Sequence, residues 1–300
     1  MSNELKPTQG PEAEATGEAA TLVDDTELQP LKARPTLTDY LKQLWKVRFY
    51  IFQDARGKSF SEGRGMFLGV LWLVLNPAIQ VGLYAFVFGF IMKAHRGVDN
   101  FIGFLIIGVI FFGFVNRGFT NGSLLIQKNR GLVTSFSFPK ATIVLSAALR
   151  LTLDDIFPAL LAVGAAMLTQ WSTPPHVSSL LIVPLFILVH ILTAGLSLIL
   201  ARLTAKIPDV NSLIQIITRI LFFTSGVFVP VTNFVSHPTI FWILEKNPVY
   251  QFLDIARSLV LDGEIPPLGR WIYIFIVSIA TFVIGLIFFW KAEHTYASVK

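Results

Sequence analysis

The chain has 300 residues, of which 53% are hydrophobic and only 14% charged, with a formal net charge of +5. A soluble domain of this length would need a more charged surface, so a water-surrounded globule is excluded. Cysteine is absent, which removes disulfides, thiolate catalysis and cysteine-based metal sites together.

Residues 1–35 are acidic and proline-bearing, without an aromatic or an apolar run. They read as a disordered cytoplasmic tail and carry no secretory signal pattern. Residues 36–66 begin with TLTDYLKQLWKVRFYIFQDARGKSF. Thr36 and Asp39 form a capping-box pattern. Leu37, Leu41, Leu44, Phe52 and Ala55 recur at helical spacing beside basic residues, and Tyr40 and Trp45 suit the headgroup level. An amphipathic interfacial helix and linker are expected, with Lys46, Arg48, Arg56 and Lys58 as a basic collar.

Residues 67–290 hold apolar blocks of about 20 residues, the length that crosses a bilayer core of roughly 30 Å. Six spans are predicted, at 67–92, 101–121, 142–168, 177–201, 210–231 and 271–290. The runs are continuous rather than alternating, so they are helices and not barrel strands. The expected fold is an all-α integral membrane protein with six transmembrane helices. Pro77, Pro158 and Pro184 should kink their helices. Gly103, Gly108, Gly113 and Gly226 allow close helix approach.

Lysine and arginine concentrate before the first span, after the second and fourth, and in the short C-terminus at residues 291–300. The positive-inside rule therefore places both termini in the cytoplasm. Basic flanks of this kind need no nucleic-acid partner.

Between spans two and three lies QKNRGLVTSFSFPKA, residues 127–141. It sets Lys128, Arg130 and Lys140 around Leu132, Val133, Phe136 and Phe138. Four sizeable apolar side chains on a connecting loop imply something that covers them, a membrane interface or a partner.

Charges inside a bilayer are expensive and mark either structure or a pathway. Arg150, Asp154 and Asp155 fall in the third span and Arg219 in the fifth, at comparable depth. Two positive and two negative side chains can neutralise one another, and Arg150 can pair with Asp154 four residues on. Arg117 lies near the cytoplasmic end of its span, where it can snorkel.

The connection from 232 to 270 is unlike the other outer loops. It is apolar and carries Phe234, Phe241, Trp242, Tyr250 and Phe252, and VYQFLDIARSLVL puts Phe252, Ile255, Ala256, Leu259 and Val260 on one helical face. It is expected to fold back as short re-entrant outer helices.

Catalytic signals are sparse. RGKS at residues 56–59 hints at a phosphate loop, but Phe52 stands where that loop needs glycine. The five histidines lie far apart and no GxSxG elbow occurs. Neither a catalytic constellation nor a cofactor or metal site is expected.

In order along the chain, Leu68-Gly69, Leu71-Trp72 and Asn76-Pro77 are followed by the basic Phe- and Pro-containing connection at 129–140. SGVFVPV at 225–231, Asn247-Pro248, Arg257 and Gly263 complete the series. With that topology, the chain resembles the transmembrane subunit of ABC-2 type exporters of bacterial cell-surface polysaccharides, from about residue 37 to the end. The resemblance implies a homodimeric pathway working with two copies of a separate cytosolic ABC ATPase in the plasma membrane. Its cargo would be a polyprenyl-diphosphate-linked glycan such as an O-antigen, capsule, teichoic acid or galactan. It implies that Lys128, Arg130, Leu132, Phe136, Phe138 and Lys140 form the ATPase-coupling segment. The re-entrant region, with Phe234, Trp242, Tyr250 and Arg257, would be an outer gate. Two other classes fit the composition: a secondary carrier using the intramembrane Asp and Arg residues, and an integral membrane glycosyl- or acyltransferase.

Overall fold

A computed structural model describes residues 35–59, 72–91, 98–135, 138–170, 174, 176–231 and 236–298. The expected tail at 1–35 therefore lies almost wholly outside the described residues, as do Leu68, Gly69, Leu71, Phe136 and Phe234. Among the described residues every regular element is helical.

Two short helices replace the single interfacial helix expected at the N-terminus: α1 (Leu37–Lys46) and α2 (Arg48–Lys58). Thr36 caps α1 as its pattern predicts, accepting from the Asp39 N–H at 3.2 Å and donating to the Asp39 carboxylate at 2.6 Å. At Val47 the backbone leaves the helical region, with ψ at 9°. That break splits the apolar stripe. Tyr40, Leu44 and Ala55 are buried against the bundle, whereas Leu41, Trp45, Phe49 and Phe52 point outward.

Helix α3 (Trp72–Tyr84) contains Pro77 and widens into a π-helical turn at Ala85–Ile91. The next helix, α4 (Phe101–Gly122), is the most enclosed and forms the axis of the main apolar core. After the short helices α5 (Leu125–Lys128) and α6 (Arg130–Ser135) comes the long α7 (Ala141–Leu168). A 3₁₀ turn at Val177–Leu181 leads into α8 (Ile182–Lys206). Pro184 falls in the first turn of α8, where its missing N–H deprives no carbonyl of a partner. Helix α9 (Val210–Thr224) stops well short of 231, because the backbone turns at Ser225 and Gly226 takes φ +66°. Beyond it lie α10 (Pro238–Glu245), α11 (Pro248–Arg257), a π-helical turn at Ser258–Asp262, α12 (Leu268–Trp290) and a final 3₁₀ turn at Glu293–Ser298.

Among the described residues four segments are long and apolar enough to cross a membrane: Phe101–Gly122, Ala141–Leu168, Val177–Lys206 and Leu268–Trp290. Two shorter apolar helices, at Leu75–Ile91 and Val210–Thr224, occupy the first and fifth expected positions. The closest helix pair is α8 with α12. A methyl group on Gly195 would stand 2.6 Å from the Phe282 backbone, and one on Gly285 would strike the Gly195 carbonyl. Only glycine at both positions lets these backbones touch.

Candidate functional site

Three polar constructions stand out in this apolar molecule, at its two ends and between them. The first is the connection between α4 and α7. It leaves α4 through Leu124, whose φ of +59° is left-handed, a conformation that costs a non-glycine residue roughly 1–2 kcal/mol. The surrounding bonds hold it there. The Leu124 N–H donates to Thr204 Oγ1 at 3.0 Å, Gln127 Nε2 donates to the Thr204 carbonyl, and Ser123 Oγ donates to Asn211 Oδ1 at 2.8 Å. The connection is thus pinned to the end of α8 and the start of α9. None of these anchors was legible from the sequence, because Thr204 and Asn211 look like ordinary helix residues.

The expected coupling residues divide here. Lys128 and Arg130 are exposed and Leu132 half-buried. Val133 is buried, and Phe138 packs against the same cluster and against the Tyr50 ring, with the Lys140 ammonium 5.0 Å from its own ring. Part of the apolar surface that seemed to require a partner is therefore covered by this chain's own α2, α7 and C-terminal turn.

The start of α7 is held by both ends of the polypeptide. Glu293 accepts from the Lys140 N–H at 2.7 Å and from the Tyr40 hydroxyl at 2.8 Å, while the Ala141 N–H donates to the Tyr40 oxygen at 3.1 Å. Two of the helix's orphan donors are satisfied in this way. Burial pushes the Glu293 carboxyl above the usual carboxylate range, against the opposing pull of these hydrogen bonds and of Lys140. Burial and the neighbouring Glu293 charge push the Tyr40 phenol up, and burial holds the Lys140 ammonium down. Tyr40, expected at the headgroup level, is instead fully enclosed.

The second construction lies within the bundle. Asp155 of α7 is 2% exposed and receives Arg117 of α4 on one oxygen and His190 of α8 on the other, the latter at 3.2 Å. The other ring nitrogen of His190 is 2.8 Å from the Phe186 carbonyl. Three helices are tied through one carboxylate. Asp154 turns the other way, to Arg150 at 3.3 Å and to the hydroxyl of Ser59 at 2.6 Å. Arg150, Asp154 and Asp155 thus pair inside the chain, with Arg117 rather than Arg219 as the second cation. Arg117, expected to snorkel, is an ion-pair partner, and His190 was missed because pairing across helices depends on rotational register. Arg219 is exposed on α9 and makes no ion pair among the described residues.

The third construction is at the opposite end from the α4–α7 connection. Phe252, Ile255, Ala256, Leu259 and Val260 are all buried, as their shared face predicts. Arg257, 4% exposed, donates to the carbonyls of Phe104 at 3.3 Å, Gly226 at 2.8 Å and Val227 at 3.2 Å. Its guanidinium lies 3.4 Å from the Phe104 ring centre. Gly108 makes room for it, since a Cβ there would collide with the guanidinium. The break that ends α9 exposes carbonyls, and one five-donor side chain closes them. Tyr250 is buried beside this knot, while Trp242 on α10 is exposed. Of the collar, Arg48 lies over the rings of Trp45 and Phe49 at 4.6 and 4.5 Å, Lys58 pairs with Asp54 at 2.8 Å, and Lys46 and Arg56 are exposed.

Apolar helices of crossing length, tied to one another by ion pairs within the bundle, define a multi-pass helical membrane protein. The chain belongs to the ABC-2 type transporter family, whose model matches residues 61–261. Among curated proteins it is 23% identical to the O-antigen export system permease protein RfbA of Myxococcus xanthus, over 75% of this chain and 85% of that one. It is 26% identical to the polysialic acid transport protein KpsM of Escherichia coli, over 76% and 87% respectively. A second O-antigen export permease RfbA, from Klebsiella pneumoniae, is 23% identical over 77% and 87%.

Proposed function

We propose that this chain is the transmembrane subunit of an ATP-driven exporter that carries a lipid-linked cell-surface polysaccharide outward across the bacterial plasma membrane. Two copies form the pathway and work with two copies of a separate cytosolic ATPase. Both termini lie in the cytoplasm, and α3 and α9 with their following turns serve as the first and fifth of six spans. The observation that carries this reading is the pinned, basic connection between α4 and α7. Its exposed Lys128 and Arg130 stand on a rigid mount where a partner can seat, and relatives named as an O-antigen export permease and a polysialic acid transport protein match most of the chain. Arg257 and Tyr250 anchor the outer gate, to which Trp242 on α10 also belongs. The basic collar lies against the anionic inner leaflet.

The Asp155 cluster is the feature a secondary carrier would use for ion coupling, so the decisive experiment separates the two. Purified chain, with and without its co-purified ATPase, is reconstituted in vesicles containing a fluorescent polyprenyl-diphosphate oligosaccharide. Export that requires both the ATPase and ATP supports the exporter. Movement driven by an ion gradient with no ATPase present overturns it.

A further inference from the structure

The side chains that this molecule shows to its surroundings differ in kind from helix to helix. Between their end turns, α7, α8 and α12 expose apolar residues, among them Leu160, Ile187 and Phe275, as surfaces against hydrocarbon should. Helix α9 departs from this. Ser212, Gln215 and Arg219 are all exposed and lie within roughly 60° of one another at 100° per residue. Leu213, Ile217 and Ile220 occupy a second exposed face, while Ile214 and Thr218 turn into the bundle. Helix α9 thus borders three surroundings: the core, lipid, and a third that accepts an amide and a guanidinium. Its neighbour α3, which meets it through Tyr84 and Phe222 at 5.7 Å, likewise exposes Asn76 and Gln80. Arg219 lies roughly 14 Å along α9 from Val210. It makes no ion pair among the described residues. A guanidinium left against hydrocarbon at that depth is costly, so the third surrounding is water.

We infer that Ser212, Gln215 and Arg219 line a water-filled stretch of the transport passage that favours anions, and that Arg219 binds a phosphate or carboxylate of the cargo there. Water accounts for the exposed hydroxyl and amide, and the guanidinium sets the sign. A positive side chain between apolar walls concentrates anions and repels cations. The planar fork of arginine also matches the two-oxygen edge of a phosphate or carboxylate. Asp154 and Asp155 do not neutralise it, since Arg150 engages the first and Arg117 and His190 the second. Two copies would bring two such cations to one passage, a repulsion that an anionic cargo relieves. A lipid diphosphate and an acidic sugar both supply such a group, and the test separates them. The inference rests on the proposed passage between two copies and adds the charge of what moves through it. Its readout needs neither ATPase nor transport, so its failure and that of the export reading are distinguishable.

Gln215→Cys is made in the full chain, which has no cysteine of its own, and reconstituted in phosphatidylcholine vesicles. Residues 215 and 219 are both exposed, so substitution there retains the fold. The thiol is labelled with methanethiosulfonates of similar size bearing a sulfonate or a trimethylammonium, present on both faces, with rates normalised to a free thiol. A cation one helical turn away should favour the sulfonate about tenfold. Adding Arg219→Gln should bring that ratio to about one. Phe275→Cys, on the apolar face of α12, should react about tenfold more slowly than Gln215→Cys with either reagent. Geranyl diphosphate and a glucuronate oligomer are then added in turn as protectants. Protection by the diphosphate assigns Arg219 to a lipid linker and protection by the uronate to an acidic repeat, and each should vanish in Arg219→Gln. A ratio near one in Gln215→Cys overturns the inference, as does a ratio that survives Arg219→Gln. Phe275→Cys as reactive as Gln215→Cys, or protection by neither anion, overturns it equally.

Discussion

Tyr40, in the first helix of the described chain, donates its phenolic hydrogen to Glu293 in the last turn, 253 positions away, at 2.8 Å. The same phenol oxygen accepts from the Ala141 backbone. Removing the hydroxyl therefore strips a partner from two buried groups at once. Tyr40→Phe should destabilise the purified protein by about 1–3 kcal/mol, the penalty for an unsatisfied buried group. The measurement is the thermal midpoint in detergent, and a midpoint equal to wild type refutes the interlock.

Glu293 gives this junction a pH dependence of definite sign. Its carboxyl is held above the ordinary range by burial, so the folded state binds the proton more tightly than the unfolded chain does. The group's contribution is therefore fully present below the ordinary glutamate value, and it is lost as pH rises through the raised value. Glu293→Gln removes that titration. Between about pH 4 and pH 8 the midpoint of wild type relative to Glu293→Gln should fall as pH rises. A difference that is flat or rises with pH contradicts the assignment.

Asp155 and Arg219 should behave as opposites. Asp155→Asn leaves Arg117 and His190 without their shared carboxylate; Asp155 is buried but Arg117 is 40% exposed, so the loss should be about 1.5–3 kcal/mol, that of a hydrogen bond to a charged group. Arg117→Gln combined with Asp155→Asn should cost less than the sum of the single changes, because both remove one interaction. Arg219→Gln, on an exposed surface, should stay within roughly 0.5 kcal/mol of wild type. Thermal midpoints of the four variants measure all three expectations, and strict additivity of the pair would count against it.

Arg257 serves three carbonyls with a planar fork, a geometry that an ammonium cannot copy. Arg257→Lys should recover less than half of the stability lost in Arg257→Ala, with each abandoned acceptor costing about 1–3 kcal/mol. Near-full recovery by lysine would show that charge alone matters there.

The α10–α11 region offers a test of topology. No cysteine needs to be removed first, so Trp242→Cys and Tyr250→Cys can each be labelled in intact cells. Trp242 is 61% exposed and Tyr250 is 7% exposed. A membrane-impermeant maleimide should label the first at least tenfold faster than the second, on the order of a 1.4 kcal/mol difference in access. Labelling of Trp242→Cys only after permeabilisation would invert the proposed orientation.

The four long spans were legible because continuous apolar length has few other uses in a polypeptide. The buried face of α11 was legible for a related reason: a helical stripe shows in sequence when one side meets a core. Other features were not. The break at Val47 carries neither glycine nor proline, and tertiary docking of Tyr40 decides where the outward face begins. The end of α9 at Thr224 was hidden because the residues after it remain apolar, while the reversal is set by backbone geometry at Gly226 and by Arg257 far along the chain. Pairing between Asp155, Arg117 and His190 depends on the rotation of three helices about their axes, which apolar length does not specify. The stretch between α4 and α7 was legible as a distinct basic connection, but the cover over Val133 and Phe138 comes from segments distant in sequence.

The Tyr40–Glu293 bond also sets an order of events during synthesis. At roughly 5–20 residues per second, the ribosome needs on the order of 10 to 50 s to travel from one partner to the other. During that interval α1 exists without the acceptor that fixes it, and the start of α7 lacks two of its caps. This end of the molecule can close only when the final turn emerges. A chain stopped short of Glu293 would carry every long span and still leave its first helix undocked, so a lesion at the C-terminus would be felt first at the N-terminus.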